Sequence, residues 1–398
     1  MAMLEKGSPA REMSFASMVN DERYRAVFYQ IVAFAVIMWC GWFLFTTTSQ
    51  NLATRGMSSG FDFLGNTAGF AIAWHIIPYE PTDNYGRVYL VGITNTLIVS
   101  VVAIFFTTIV GFIVGILRLS SNWLIAKLAG WYVEILRNTP LLLQILFWYL
   151  AVFSVLPQPR NSLAILGAFE LNNRGFYMPA PIPGELFWLT MLAIVTGVAA
   201  TLVLANFAKR RHLATGHRIN ILWPSLGLLI LLPLAVFLVT GAPLSFDYPV
   251  LQGFNFTGGT SVPPAFCALL IALVVYHSAF IAENVRAGIQ SVGHGQTEAS
   301  YSLGLRPSLT VRLIVIPQAM RAIIPPLISV WMNVVKNSSL AVAIGFPDLV
   351  SVFMQTSLNQ SGYAIEIVAM VMLFYMTVSL SISSALNVYN KSVQLKER

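Results

Sequence analysis

Residues 282–307 of this chain read AENVRAGIQSVGHGQTEASYSLGLRP, residues 315–326 read VIPQAMRAIIPP, and residues 336–346 read KNSSLAVAIGF. This polar, helix-prone stretch lies between two apolar runs that are each long enough to cross much of a bilayer. It is too long for a simple turn and too regularly patterned for a disordered linker. The stretch therefore predicts a structured loop that projects from a membrane domain.

The first half of this loop is predicted to be helical and then to turn. Apolar side chains recur at intervals of four, four and three residues, which places them on one helix face: Ile281, Val285, Ile289 and Val292. Gly293 and Gly295 interrupt this helix, because glycine adopts turn conformations readily. A second, short helix is predicted from about residue 296 to residue 303, with Gly304 as its left-handed cap.

Prolines divide the second half of the loop. Pro307 suits the first turn of a further helix. Pro317 is predicted to end that helix, and Pro325 with Pro326 to begin the next membrane segment. The loop is thus expected to be a compact group of short helices, with Glu298 and Gln318 among the few polar side chains free to contact a partner.

Composition excludes a water-soluble globular protein. The 398 residues are 57% hydrophobic and 10% charged, whereas soluble domains are about 25% charged, and the mean hydropathy is +0.72. The formal charge of +7 does not indicate nucleic-acid binding, because the basic residues lie at the ends of apolar runs. Cys40 and Cys267 lie inside such runs and are expected to be buried thiols. The first run lacks the cleavage site of a secretory signal.

Eight apolar segments reach the roughly 20 residues that a helix needs to cross a bilayer core. Their approximate bounds are 27–48, 88–117, 124–156, 186–206, 220–240, 264–282, 323–345 and 362–389. Within 124–156, an apolar stripe predicts an interfacial helix before the true span begins near Pro140: Leu124, Leu128, Trp131 and Ile135. The fold class is therefore an all-α polytopic membrane protein.

Basic residues orient these spans. With the N-terminus in the cytoplasm, 18 of the 23 Lys and Arg residues flank cytoplasmic ends and 4 flank the opposite ends, while Lys336 lies inside a span. Because cytoplasmic loops carry such an excess, both termini and residues 283–321 are predicted to be cytoplasmic. Residues 61–78 are apolar, but a span there would invert the asymmetry. They are interpreted as an interfacial or re-entrant segment on the periplasmic side.

Motifs in the loop resemble those of a known family. Gly295, Glu298, Ala299, Leu303 and Gly304 form the pattern G-x-x-E-A-x-x-x-L-G, and residues 317–326 read P-Q-A-x-R-x-x-x-P-P. Both resemble the E-A-A loop of permease subunits in binding-protein-dependent ABC importers. A-E-x-x-R-A-x-I-x-S at 282–291 and K-N-S-S-L at 336–340 are similar to the polar amino-acid uptake (histidine/glutamine-type) subfamily. Ser300 and Ser338 depart from the family's alanine and threonine without much change in chemistry.

The resemblance implies a type I ABC importer transmembrane fold and four parts of the chain. Residues 1–87 hold a cytoplasmic tail, an extra span and a periplasmic segment, and residues 88–156 are the first part of the permease core. Residues 157–262 are an insertion with two extra spans, as in the longer permease subunit of a general L-amino-acid transporter. Residues 263–398 complete the core and carry the coupling loop at 283–321.

The function implied by the resemblance is translocation of L-amino acids across the bacterial inner membrane. The expected partners are a periplasmic amino-acid-binding protein, a second homologous permease and two cytoplasmic ATPases. The chain has no G-x-x-x-x-G-K-S/T loop, so ATP and Mg²⁺ are expected on the ATPase and the chain is not an enzyme. No spacing of its histidines suits a metal.

Three groups of residues are candidates for function. Contact with the ATPase is expected at Gly295, Glu298, Ala299, Leu303, Gly304, Pro317 and Gln318. A substrate path is expected at Lys336, Asn337, Ser338, Ser339 and Glu366, since amino acids carry both charges and ionisable groups inside a bilayer are costly. A cytoplasmic gate, by resemblance to the family's E-x-x-R-x-x-P-x-x-x-Q block, is expected at Glu134, Arg137, Pro140 and Gln144.

Simpler interpretations stand beside these. Glu134 and Arg137 are spaced for an ion pair within one helical turn. Lys336 and Glu366, which lie in different spans, are alternatively expected to form a structural ion pair between those spans. His277 is a packing residue or a proton carrier. For the whole chain, the alternatives are an ion-gradient-driven amino-acid transporter, which usually shows internal hydropathy repeats, and a membrane scaffold or sensor.

Overall fold

The structure is a computed structural model that describes residues 22–54, 60–217 and 219–393. Its α-helices are α1 (Glu22–Thr54), α2 (Tyr85–Leu117), α3 (Trp123–Asn138), α4 (Leu141–Leu146), α5 (Phe187–Thr215), α6 (Leu222–Leu226), α7 (Leu232–Val239), α8 (Pro264–Gln290), α9 (His294–Ser302), α10 (Pro307–Thr310), α11 (Ile316–Asn337), α12 (Leu358–Ser361) and α13 (Ala364–Val393). Wider π-helical turns extend or join several of them: Phe147–Phe153, Gly227–Leu231, Val311–Val315 and Val350–Ser357.

The predicted spans are confirmed. Seven helical stretches of the described residues are long and apolar enough to cross a membrane: Arg25–Asn51, Tyr85–Leu117, Phe187–Thr215, Leu222–Val239, Pro264–Gln290, Pro307–Ile344 and Ala364–Ala385. The eighth is a pair of helices, Trp123–Asn138 and Leu141–Phe153, that meet at an angle of 104°. The bend falls at Pro140, where the sequence predicts that an interfacial helix gives way to the true span. The protein is therefore a multi-pass, mainly helical membrane protein.

Glycines allow the two central helices to approach closely. A Cβ atom at Gly111 of α2 would lie 2.5 Å from Cβ of Ile281 on α8, and one at Gly115 would lie 2.7 Å from Cβ of Val285. Small residues that let two backbones approach closely are typical of interfaces between membrane helices. The apolar face predicted for α8 is thereby buried, since Ile281 is 0% exposed and packs with Ile323 of α11.

The helix after Pro307 is longer than predicted. Pro317 does not end it, and Pro325 and Pro326 lie inside α11 rather than at its start. Helical structure continues from α10 through the π-helical turn Val311–Val315 into α11. A wider turn of this kind re-forms the hydrogen-bond ladder around groups left without partners, which is how prolines are tolerated within membrane helices.

Residues 60–84 do not span the membrane. They form one 3₁₀ turn, Asp62–Gly65, followed by irregular backbone that packs on the start of α2. Phe63 is completely buried and stacks on Tyr363 with ring centroids 4.6 Å apart. The segment therefore closes one end of the bundle, in agreement with the interpretation that it does not cross.

The segment 157–262, which the family resemblance interprets as an insertion, contains short strands that were not predicted from the sequence. A four-stranded antiparallel sheet has the order β1-β2-β3-β8. Two further antiparallel pairs join β4 with β5, which lie on either side of the two helical spans between them, and β6 with β7, which form a hairpin. The strands are β1 (Leu163–Ile165), β2 (Phe169–Asn172), β3 (Gly175–Met178), β4 (Ala180–Pro183), β5 (Leu244–Asp247), β6 (Val250–Gln252), β7 (Asn255–Thr257) and β8 (Thr260–Val262). We call this end of the bundle the sheet end.

The patterned loop, residues 283–321, lies at the other end of α8, and we call this end of the bundle the loop end. This helix starts next to β8 and runs for 27 residues to Gln290, which is about 40 Å at 1.5 Å per residue. The short helix α9 follows immediately. The two features that distinguish the chain, its sheets and its patterned loop, are thus on opposite sides of the bundle.

Candidate functional site

The tip of the loop end is a capped helix with an exposed apolar side chain. Gly304 adopts a left-handed conformation with φ of +74°, and the next amide, of Leu305, donates to the carbonyl of Ser300 at 3.1 Å. This is the C-terminal capping arrangement that favours glycine. Leu303, directly before it, is 81% exposed. An apolar side chain held in this way is suited to a partner's pocket.

Polar contacts fix the base of this loop. The Glu283 carboxylate accepts hydrogen bonds from Arg118, at the end of α2, and from Arg286, one turn further along α8. Arg286 also donates to the side chain of Gln290. Glu283 and Arg286 belong to the family pattern seen in the sequence, whereas Arg118, 165 residues away from Glu283, carries no sequence signal for this contact.

Gln318 is hydrogen-bonded within the chain, which corrects the sequence interpretation that its side chain is free to contact a partner. Its Nε2 donates to Oε1 of Gln296 at 3.3 Å, and this contact ties α9 to the start of α11. Glu298 and Ala299 are exposed on α9, as are Gly295 and Pro317 in the flanking segments. Between α9 and the helices on either side lies a cavity of about 440 Å³. The short helices of the loop are thus fixed relative to one another, and their outer face is exposed to solvent.

Ser300 has a structural role that its place in the motif does not predict. It is fully buried, and its hydroxyl donates to the carbonyl of Thr297 at 2.7 Å. It also lies 2.9 Å from the hydroxyl of Thr310, which is 1% exposed. The pair connects α9 to α10. Where the family pattern has alanine, this chain therefore has a hydrogen bond between two helices.

Ser300→Ala is expected to loosen the loop end. Removing the acceptor leaves the buried Thr310 hydroxyl unpaired, which costs about 1 kcal/mol. Amide hydrogen exchange across α9 and α10 is then expected to be roughly fivefold faster in the detergent-purified protein. Ser302→Ala is the matched control, because Ser302 is exposed and bonds only to the carbonyl of Glu298 in its own helix. Equal exchange in the two variants would contradict the assigned role.

The predicted gate residues shape the 104° bend. Gln144 is buried, and its Nε2 donates to the carbonyls of Leu136 and Thr139, each at 3.1 Å. Pro140 stands between the two helices. The ion pair considered for Glu134 and Arg137 is not formed. Instead, the Arg137 guanidinium lies over the ring of Phe280, 5.2 Å from its centroid, so this residue joins α3 to α8.

Lys336 lies on a polar stripe of a membrane helix. Ser329, Asn333 and Lys336 are all exposed, at intervals of four and three residues along α11, while the opposite face of this helix is packed against α8. This spacing places them on one face. Of the three, only Lys336 was predicted to be functional, although the regular interval of these polar residues within an apolar run is visible in the sequence.

Two of the remaining predicted path residues, Asn337 and Ser338, are held by contacts inside the bundle. Asn337 contacts Nε2 of His277 at 3.1 Å, and Nδ1 of His277 is 3.0 Å from the carbonyl of Leu273. Both ring nitrogens therefore have partners, as expected of a packing residue. Ser338 is completely buried and donates to the carbonyl of Val335. Ser339 donates to the carbonyl of Lys336 at 2.7 Å.

Glu366 does not pair with Lys336. It lies in the first turn of α13, where a helix N-terminus favours a carboxylate, and its Oε1 accepts from the amide of Gly60 at 2.7 Å. Within the described ranges, both ion pairs belong to Glu283. The structural pair between two spans is therefore wrong, and Glu366 fastens the segment after Gly60 to the last span.

A buried carboxyl that the sequence analysis missed lies next to this path. Asp348 is completely buried, and one of its oxygens accepts from the amide of Ser351 at 2.9 Å. The preceding Pro347 accepts from Nδ2 of Asn95 on α2 at 2.8 Å, and the amide of Leu349 donates to the hydroxyl of Thr96 at 3.0 Å. The position of Asp348 within an otherwise apolar run of the sequence could have indicated a buried carboxyl here.

Known proteins resemble this chain along its full length. A family model described as the inner membrane component of binding-protein-dependent transport systems matches residues 193–394. The general L-amino acid transport system permease protein AapQ of Rhizobium johnstonii is 48% identical over 97% of this chain and 96% of that protein. The putative amino-acid ABC transporter permease protein YhdX of Escherichia coli is 49% identical over 94% of this chain and 95% of that protein.

Solved structures provide a more distant match. The crystal structure of an amino acid ABC transporter with histidines has a chain that is 20% identical, with 77% of this chain and 95% of that chain covered and a TM-score of 0.46. The family rests on the sequence matches, which include two full-length relatives at nearly half identity. This chain belongs to the family of inner membrane components of binding-protein-dependent transport systems.

Proposed function

We propose that this chain is the membrane-spanning subunit of an ATP-driven importer of L-amino acids. The supporting observation is its full-length likeness to permeases that are named for amino-acid transport. A third relative, named for the transport of glutamate, glutamine, aspartate and asparagine, is 39% identical over 99% of this chain. The substrate class is accordingly the free L-amino acid, with a polar or broad range.

The loop end is proposed to bind the ATPase. Leu303 and Tyr301 are 81% and 51% exposed on a segment whose base is held by buried or charge-assisted hydrogen bonds. An exposed apolar tip on a rigid support fits a groove of another protein. ATP and Mg²⁺ belong to that ATPase. The same assignment puts the loop end and both termini in the cytoplasm of a bacterial inner membrane and the sheet end in the periplasm.

The polar stripe on α11 is proposed to line the substrate path. Lys336 lies in the last turn of α11, within the apolar stretch Pro307–Ile344. A lysine that faced lipid there would be costly, so this side chain is proposed to face water or another subunit. A second, homologous permease placed against this face would enclose an aqueous path between the two subunits. Lys336 would then attract the carboxylate of the amino acid, while Ser329 and Asn333 offer hydrogen bonds along the same line.

An ion-gradient-driven transporter has no comparable support. The family is described as dependent on a binding protein. An ion-gradient-driven transporter has no ATPase partner, so it would give no role to the exposed Leu303 at the tip of the loop end. A scaffold or sensor would leave the polar stripe without a role.

The proposed function is tested by purifying the tagged chain gently from its native membrane and reconstituting what co-purifies into liposomes. A second permease and a soluble ATPase subunit are expected, with amino-acid uptake that requires both a binding protein and ATP. Uptake that survives ATP depletion and collapses when the ion gradient is dissipated would overturn the proposal.

A further inference from the structure

A cavity of about 370 Å³ lies at the sheet end, where the insertion meets the membrane core. Four separate segments contribute to its wall: the segment after Gly60, the strands of the insertion, the start of α8 and the turn that follows α11. The residues that bear on its chemistry are Trp74, Arg174, Tyr177, Asn255 and Pro347. Its volume lies within the range of small-molecule sites.

Hydrogen bonds between these segments hold the cavity open. The buried Tyr177 of β3 donates its hydroxyl to Oδ1 of Asn255 on β7 at 2.8 Å. The indole Nε1 of Trp74 donates to the carbonyl of Ser261 on β8 at 3.3 Å. The Trp74 ring also packs on Phe346, with centroids 5.6 Å apart. The wall is therefore built jointly by the insertion and the core.

The wall is rich in donors and positive in charge. Arg174 is exposed, and its guanidinium makes no ion pair with any carboxylate of the described residues. Because Tyr177 uses Oδ1 of Asn255, the amide Nδ2 of Asn255 is left to donate. The residues around the cavity include no Asp or Glu among those that the structure describes. Glu170 of β2 lies opposite Tyr177 of β3 in the strand register but does not line the cavity.

The neighbouring phenol has the neutral form that such a site requires. Burial raises the pKa of Tyr177, and this effect outweighs the opposing influence of its bond with Asn255 and of the Arg174 charge. Tyr177 therefore adds no negative charge beside Arg174 at neutral pH. A carboxylate that enters the cavity finds a guanidinium, which binds it through two parallel hydrogen bonds in the most favourable geometry.

The cavity adjoins the chain segment that continues from the proposed path. Pro347 forms part of its wall and is held by Asn95 of α2, one residue before the buried Asp348. The chain between Pro347 and the stripe on α11 is only the 3₁₀ helix Ser338–Ile344 and a short turn. A solute at Trp74 thus lies at the outer end of the same continuous segment that carries Lys336.

We propose that this cavity is an outer waiting site for the transported amino acid, in which Arg174 binds the α-carboxylate and Trp74 contacts the rest of the molecule. The assignment rests on the proposed function, because it places the site in the route of an importer. It also gives the insertion a role, because β3, β7 and β8 supply polar residues on one side of the cavity. Without these strands, that side of the cavity would be exposed to solvent.

The test uses the whole transporter in proteoliposomes, with the binding protein saturating and with radiolabelled L-glutamate, L-glutamine and L-leucine as probes. Arg174→Gln is expected to lower uptake of all three roughly tenfold, since it removes a charge-assisted hydrogen bond to the α-carboxylate that all three share. Arg174→Lys is expected to retain part of the rate. Asn255→Asp keeps the acceptor for Tyr177 but adds a negative charge, so it is expected to lower uptake as well.

Arg160→Gln is the matched control. Arg160 lies at the sheet end over the ring of Phe254 and borders a smaller, adjacent cavity, but not this one. It is expected to change uptake by less than about twofold, as for most exposed charges. Assembly of each variant is checked by size-exclusion chromatography. ATPase stimulation by the binding protein is measured in parallel and is expected to persist in Arg174→Gln.

Several outcomes would overturn the site. The first is wild-type uptake in Arg174→Gln, and the second is an equal loss of uptake in Arg160→Gln. The third is a loss of ATPase stimulation in Arg174→Gln that a higher concentration of binding protein restores. That result would make Arg174 a docking residue for an acidic group of the binding protein. Failure of the proposed function looks different, because the wild-type complex would then take up none of the three amino acids.

Discussion

Gly304→Asp is expected to abolish amino-acid uptake while leaving the chain inserted in the membrane. The loop itself should tolerate the change. A Cβ atom at Gly304 would meet no other atom within 4 Å, and aspartate enters the left-handed region more readily than most residues. The folding cost is therefore about 1 kcal/mol. The loss of function comes from a negative charge placed beside Leu303, inside the surface proposed to fit the ATPase.

The size of this effect follows from burial of the charge at the interface. An unpaired charge in a desolvated contact costs about 3–5 kcal/mol, which weakens association by a factor on the order of a hundred to a thousand. ATP-dependent uptake and co-purification of the ATPase should be lost together. Both are measured against the abundance of the variant in isolated membranes.

Gly304→Asn separates charge from backbone strain. Asparagine has nearly the same size and the same tolerance of positive φ, so it is expected to retain most of the uptake. If asparagine is as inactive as aspartate, the left-handed backbone itself is the requirement. Near-normal transport by the aspartate variant at unchanged abundance would remove the loop tip from the ATPase contact.

Local signals made much of the fold predictable. The spans followed from the length of apolar runs, and the bend at Pro140 from an apolar stripe that ends there. The cap at Gly304 followed from a glycine placed after a short helical pattern. Each of these features depends on residues within one or two turns of one another, so the sequence pattern reports them directly.

Features that depend on distant residues were not predictable in this way. Three such features depend on how helices pack: the pairing of Glu283 with Arg118 just after α2, the contact of Asn337 with His277, and the burial of Ser338. The strands of the insertion are three or four residues long, too short for a periodic signal. The continuous helix through Pro325 and Pro326 reversed a local rule, because packing against neighbouring helices offsets the hydrogen bonds that the two prolines cannot donate.

Lys336→Met is expected to reduce uptake at least tenfold. The substitution keeps an unbranched side chain of similar length and removes the charge that faces the proposed path. A charge-assisted hydrogen bond to a carboxylate contributes about 1.5–3 kcal/mol, which corresponds to a tenfold or greater change in rate. Lys336→Arg is expected to keep most of the rate. Uptake is measured at saturating binding protein in proteoliposomes.

Lys127→Met is the matched control, since Lys127 is exposed on α3 near the ring of Trp131 and has no place in the proposed path. It should transport at close to the wild-type rate. The substrate dependence of the Lys336 variant then identifies the group that the lysine binds. A loss shared by L-glutamate, L-glutamine and L-leucine indicates the α-carboxylate, which all three possess, whereas a loss confined to L-glutamate indicates the side-chain carboxylate. An unchanged rate and substrate range would place Lys336 outside the path, and the stripe of Ser329, Asn333 and Lys336 would then be a contact with the second permease.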